Sequence, residues 1–403
     1  MKTSTFKIKK YPIDFWVASL YVFMIPSKPL FTINLFYVIG FLCFILYLIR
    51  AKGKFEKPHL FEITYVLFLI LCFFESLYSP SPYALDLCIR ILIYISGVFS
   101  AFRLISKYKK GDSFFFYLSN IFINGTLLIC LFCILIEGIG DVRLGEYVFE
   151  GVYGTYIELS ICIMISCILL IAQLFYKTNV RRFNYLKFAL LLIFCGLSQT
   201  RKVFVAILLM ILLLGYWKSR GKILLRLKYI IAGGLLLAIG LYFLSRLEAF
   251  NQLIVRFNGM LLYLAGENTY DNSSIVRSNM ILIALSNFYK NPILGCGTDG
   301  ARIYINEFLG VNAYSHCNFA ELLCNNGLVG FILFYVFHVM TLVYAYRKRK
   351  RFDFFCGILI CSVIVLFAMD YGQVSYYNIE YIFFYTLISY IMAYFKSNRD
   401  VYS

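Results

Sequence analysis

Long apolar runs separated by short polar breaks set the pattern of this chain. A stretch such as "FAELLCNNGLVGFILFYVFHVMTLVYAY" exceeds the ~20 residues that a helix needs to cross a hydrocarbon core of roughly 30 Å. Segments of this kind are expected near 12–27, 30–49, 60–78, 83–103, 114–137, 153–176, 184–199, 201–217, 227–245, 319–345, 353–370 and 376–395. The pattern predicts an all-α fold: a polytopic membrane helical bundle of about 12 transmembrane helices, with a large external helical loop, about 246–318, between spans 9 and 10. Residues 1–403 read as a single integral membrane domain. "MKTSTFKIKKYP" leads into the first segment without a small-residue cleavage site, so that span is expected to stay in the mature protein.

Composition agrees, with 61% hydrophobic and 15% charged residues, and charge adds an orientation. Lys and Arg collect in alternate breaks: the N-terminus, "RAKGKFEK", "RLISKYKK", "KTNVRRFNYLK", "KSRGKILLRLK", "YRKRKR" and "KSNRD". These hold 28 of the 38 basic residues, and short loops rich in such residues stay cytoplasmic. The net charge of +17 is thus chiefly a topology signal that also suits anionic inner-leaflet lipids; it is not a nucleic-acid footprint.

Arg201 and Lys202, in the "SQTRK" turn, fall on the outward side, against that rule. They are either snorkelling to headgroups or forming an anion-binding site. The outward segment 246–318 carries five bases (Arg246, Arg256, Arg277, Lys290, Arg302) and five acids (Glu248, Glu267, Asp271, Asp299, Glu307), a balance expected of a structured loop. Within it "DNSSIVRSNMILIALSNFYKNPILG" starts on N-cap residues and stops at Asn291-Pro292. The helix this predicts is too short to span with ease. It is expected to lie across the outer surface and leave Arg277 free to face a polar cavity. In "GVNAYSHCNFAELLCNNGLVGF", His316 stands at the outer entrance of the next span, with Asn318 and Glu321 in its first turns, and "NNG" interrupts the helix or packs it closely. An imidazole is a plausible proton acceptor near neutral pH, and a structural histidine is the competing reading. His59, in a cytoplasmic loop, and His338, inside a span, are weaker candidates.

The outward "SQTR" turn, the loop holding "VRSNMILIALSNFYKNPILGCGTDG" and "YSHCNFAELLCNNGLVGF" resemble the bacterial O-antigen polymerase and O-antigen ligase family, membrane glycosyltransferases of the C-type, all-helical fold. The motifs occupy about 197–206 and 273–331; Cys317 departs from the Asn usual after the histidine. The resemblance implies an undecaprenyl-diphosphate-linked glycan as donor and another as acceptor, at the periplasmic or exterior face of the cytoplasmic (inner) membrane. It implies Arg201 and Arg277, with Lys202, as ligands of the diphosphate, His316 as catalytic base, and Asn318 and Glu321 as further substrate-binding residues. Arginine suits a leaving diphosphate because its planar fork binds phosphate bidentately and stays charged. No cofactor and no metal are implied, and no nucleic-acid partner. Membrane lipid, a chain-length regulator and a flippase are the expected companions.

Glu75, Asp86, Glu137, Glu158 and Asp370 fall toward outer span ends, where they could orient the arginines or bind sugars, although Asp86 and Arg90 could simply neutralise each other. Glu321 could instead fix the His316 ring. Of thirteen cysteines, ten lie in or near spans and read as small apolar residues; Cys296, Cys317 and Cys324 are external, and a Cys317–Cys324 disulfide is disfavoured two helical turns apart. Three functions stay open. The first is polymerisation of lipid-linked repeat units into O-antigen or capsular polysaccharide; the second is ligation of a finished chain to lipid A core. The third is a flippase or transporter, disfavoured because the halves show no similarity and the largest loop is external and late.

Overall fold

The computed structural model describes residues 11–31, 33–138, 144–146, 148, 156–176, 182–219, 224, 272–350 and 353–397. Among them there are helices and no strand. The helices are α1 (Ile13–Ser27), α2 (Ile33–Ala51), α3 (Leu60–Ser76), α4 (Ala84–Ser106), α5 (Gly111–Glu137), α6 (Tyr156–Tyr176), α7 (Arg182–Leu197), α8 (Arg201–Lys218), α9 (Asn272–Phe288), α10 (Gly300–Leu309), α11 (Asn318–Lys348), α12 (Asp353–Asp370) and α13 (Ile379–Ser397). An all-helical answer follows from the solvent: where no water can serve a backbone N–H or C=O, the helix satisfies both within one segment. Six helices, α2, α4, α5, α6, α11 and α12, are long and apolar enough to cross a membrane. The segment expected at 227–245 lies outside the described residues, as do Arg246, Glu248, Arg256, Glu267 and Asp271. Each other expected segment overlies a helix.

The bundle is apolar outside and holds polar groups within. Val38, Phe41, Leu135 and Ile332 are exposed, whereas Ser119, Thr126, Ser166, Asn318 and Glu321 are buried. Hydroxyls are accommodated by bonding to a neighbour or to the preceding turn: Ser166 Oγ donates to Thr126 Oγ1 at 2.8 Å, and Thr126 in turn to the Phe122 carbonyl at 3.1 Å. Close packing uses small residues, as membrane helices do. A Cβ on Gly125 of α5 would stand 2.4 Å from the Phe23 carbonyl oxygen of α1.

Successive connections gather at opposite ends of the bundle, as antiparallel neighbours require. At one end Arg103 pairs with Glu62 and donates to the Glu56 carbonyl (2.9 Å), Arg50 pairs with Asp14 (3.2 Å), and Trp217 bonds the Asp353 carbonyl (2.9 Å). This is the end that holds the basic breaks. At the other, Ser79 Oγ donates to the Thr298 carbonyl (2.6 Å), Ser81 Oγ to Asp299 (2.6 Å), and the Ser375 N–H to Asn318 (2.9 Å).

The segment after residue 271 contains α9, expected from its N-cap residues, and α10, which the sequence reading left as loop. α9 ends at Phe288, before Asn291-Pro292. The turn that follows lies along α11 at its "NNG": Gly327 has φ 60° and ψ −163°, a backbone open almost only to glycine, and it breaks the helix. The break frees donors that the turn then satisfies, with Leu328 N–H bonding the Pro292 carbonyl at 2.9 Å. Interruption and close packing are therefore the same feature: a Cβ on Gly327 would stand 2.3 Å from the Ile293 carbonyl oxygen.

Candidate active site

The end of the bundle opposite Arg103 and Arg50 carries a half-buried histidine near two cations. His316 lies in the connection from α10 to α11 with φ 59°, a left-handed conformation uncommon for a side-chain-bearing residue and one that its surroundings must impose. They do so through a polar turn. Ser315 Oγ donates to the Cys317 carbonyl (3.0 Å) and accepts from the Cys317 N–H (3.3 Å), while buried Glu321 accepts from the Ser315 N–H (2.7 Å). The Tyr314 ring lies tilted against the imidazole, centroids 4.3 Å apart. Neither ring nitrogen of His316 is hydrogen-bonded among the described residues, so an approaching hydroxyl finds an acceptor available.

Lys202 sits in the first turn of α8 and its Nζ reaches the Gly372 carbonyl at 3.5 Å, tying α8 to the turn after α12. Arg201 opens α8, though its side chain lies outside the described residues. Thr200 precedes it without a side-chain cap, so the first N–H groups of α8 and Lys202 share one place; a helix N-terminus and a lysine both favour an anion. Arg277, exposed on the second turn of α9, brings a further cation. Burial first, and then the charges of Arg277 and Lys202, push the His316 pKa down to about 3. The imidazole is therefore neutral at neutral pH, kept so by burial and by two adjacent cations that oppose a third.

Charge balance differs among the cations of this end. Lys28 pairs with Glu158 and, at 3.2 Å, with Glu380; Arg302 pairs with Asp299 at 2.9 Å. Lys202 and Arg277 meet no carboxylate among the described residues. Lys28 breaks the same charge rule as Lys202 and was legible by the same signal, but the two carboxylates that neutralise it arrive from α6 and α13 and only the fold shows them.

The other expected residues have different surroundings. Asn318 is fully buried: its amide donates to Tyr335 Oη (2.8 Å) and Asp370 (3.4 Å), and its oxygen accepts from Ser375 and Tyr376 N–H (2.9 and 3.3 Å). Glu321 holds the Ser315 backbone and Asn325 (3.3 Å), so it fixes the turn beneath His316 and not the ring. Glu75 takes the amide of Asn326, and Glu137 accepts from Gly145 and Val148 N–H (2.6 and 2.8 Å). Asp86 and Arg90 are both exposed and form no ion pair among the described residues. His338 is buried in α11 and His59 lies at the opposite end, its ring 4.0 Å from that of Tyr390. Tyr314 escaped the sequence reading, since a tyrosine in a chain this rich in aromatics carries no signal of its own.

Residues 186–335 match the family model described as O-antigen ligase, and that stretch contains Arg201, Lys202, Arg277 and His316. No curated protein matches the chain.

Proposed function

On the O-antigen ligase/polymerase family assignment that this match supports, we propose that the chain is a membrane glycosyltransferase that polymerises undecaprenyl-diphosphate-linked repeat units at the outer face of the inner membrane. The observation that carries the reading is a neutral histidine beside Lys202 and Arg277, which meet no carboxylate among the described residues. In the reaction, an acceptor sugar hydroxyl attacks the anomeric carbon of the donor, and the bond from that carbon to the diphosphate oxygen breaks. The electron pair leaves with the diphosphate, where charge builds up, and Lys202, Arg277, Arg201 and the α8 N-terminus would meet it. His316 takes the hydroxyl proton.

Donor binding would also strengthen the base. The charges that depress His316 are those a diphosphate neutralises, so the imidazole gains basicity once the donor is seated. We place twelve crossings in the chain, with the His316 end outward and the basic breaks cytoplasmic. The counter-charge comes from side chains, so turnover needs no metal. Asn318 and Glu321 act as positioning residues in this scheme, because their polar atoms serve the fold.

A second reading, transfer of a finished glycan to lipid A core, uses the same chemistry and is what the description of the matched family names. Purified protein with lipid-linked repeat units, in the presence of chelator, should give a glycan ladder that vanishes in the His316→Ala variant. Transfer to lipid A core without a ladder would favour the ligase instead.

A further inference from the structure

Two cysteines meet where the turn after α9 docks on the break in α11. Cys296 N–H donates to the Cys324 carbonyl at 2.8 Å and Gly297 N–H to the Asn325 carbonyl at 2.9 Å, so the two backbones run side by side. The Cys296 thiol donates to the Asn287 carbonyl at 3.7 Å, and both cysteines are buried in the small cluster that Ala284, Ala301, Cys317 and Ala320 complete. Both are reduced in this structure. The sequence weighed Cys317 as the partner of Cys324; the fold supplies Cys296 instead, from a turn twenty-eight positions earlier in the chain.

We propose that Cys296 and Cys324 are a disulfide-forming pair that closes the segment bearing α10, Tyr314, His316 and Glu321 into a covalent ring. A backbone hydrogen bond between the two cysteines themselves brings their chains as close as a disulfide requires. The surroundings prepare one member as nucleophile. Cys324, Tyr304 and Asn291 beside it, with the Lys290 charge, hold the Cys296 pKa down to about 6 against its burial, which makes it the readier of the two to ionise. Its thiolate attacks the S–S bond of a disulfide oxidant, either a small-molecule disulfide or the exposed disulfide of a thiol oxidoreductase, and expels one thiolate. Cys324, losing its proton, then attacks the Cys296 sulfur of the mixed disulfide and expels the other. Two thiols lose two electrons, and one disulfide becomes two thiols.

The consequence is local to the site. The left-handed backbone at His316 is imposed by contacts within the ring, chiefly Glu321 to Ser315 N–H, and closing the ring where the turn meets α11 removes the freedom of that segment to come away. Formation in the cell rests on the outward orientation proposed above, because disulfides persist in oxidising compartments. The test reads mass and not glycan, so it fails or succeeds apart from the enzymatic reading.

The full chain, purified in detergent and incubated with oxidised glutathione, is denatured in N-ethylmaleimide, digested and weighed. Two fewer maleimide adducts than the thirteen cysteines of the reduced chain are expected, with one linked peptide pair joining Cys296 to Cys324. Cys296→Ser and Cys324→Ser should each abolish the linked pair, leaving the other thiol alkylated or glutathionylated. The same trapping in acid-quenched cells should find the bond already present. Thirteen adducts in either preparation, or a linkage through Cys317, would overturn the proposal.

Discussion

At His316 the chemistry depends on what stands next to it. An imidazole depressed by burial and by Arg277 and Lys202 is deprotonated in the free protein down to about pH 3. On the proposed reaction a bound diphosphate would cancel the two charges and raise the pKa by that part of the depression, the part due to burial remaining. The sign follows: protonation disables the base, so the acid limb of kcat should lie at higher pH than the acid limb of kcat/KM. Coincident limbs would show that the donor does not neutralise these cations. Arg277→Lys keeps the charge and loses the fork, and kcat/KM is expected to fall about 10- to 100-fold, matching the roughly 1.5–3 kcal/mol of a charged hydrogen bond. Unchanged turnover in Arg277→Lys, with protein level equal, would leave Arg277 as a headgroup anchor. Glu321→Gln is instructive because an amide retains one acceptor oxygen for Ser315 N–H. It should keep more activity than Glu321→Ala, and a ranking in the other direction would contradict a positioning role.

At the scale of elements, the break in α11 and the turn that fills it make one unit. Gly327 takes a conformation that costs a residue with Cβ roughly 1–3 kcal/mol, and the added atom would meet the Ile293 carbonyl oxygen at 2.3 Å. Gly327→Ala should therefore lower the unfolding temperature of the detergent-solubilised protein and reduce activity, since α11 carries Glu321 and follows His316 directly. Gly53→Ala is the control: it too has positive φ, yet nothing stands within 4 Å of its Cβ and it lies at the opposite end of the bundle. Equal effects of the two substitutions would assign the loss to backbone strain alone. α8 and α9 divide these cations between them, Lys202 on the first and Arg277 on the second, so the proposed anion site requires two elements separated by the fifty-three residues 219–271.

For the whole molecule the arrangement makes sidedness the decisive measurement. Contacts sort the connections into a basic end, held by Arg103–Glu62 and Arg50–Asp14, and an end that carries His316. A reporter fused near residue 285 should be external and one near 350 cytoplasmic. An internal reporter at 285 would bring the cations to the cytoplasmic face and remove the outer-face reaction. Deleting the gene separates the remaining functions: a polymerase loss limits surface glycan to single repeats, whereas a ligase loss strands long chains on undecaprenyl diphosphate.

The sequence by itself determined the helical membrane class, the alternation of basic breaks and the positions of Arg201, Lys202, Arg277 and His316, because apolar run length, charge placement and short motifs are all local along the chain. It could also show where α9 ends and the glycine that breaks α11. Only the tertiary structure decided which cations are neutralised, since the carboxylates that pair with Lys28 come from α6 and α13, and which thiol faces Cys324. It likewise turned Asn318 and Glu321 from candidate ligands of substrate into supports of the turns around them. Partnership between groups far apart in sequence is set by packing, and a buried polar atom must be satisfied by whatever group the packing brings to it.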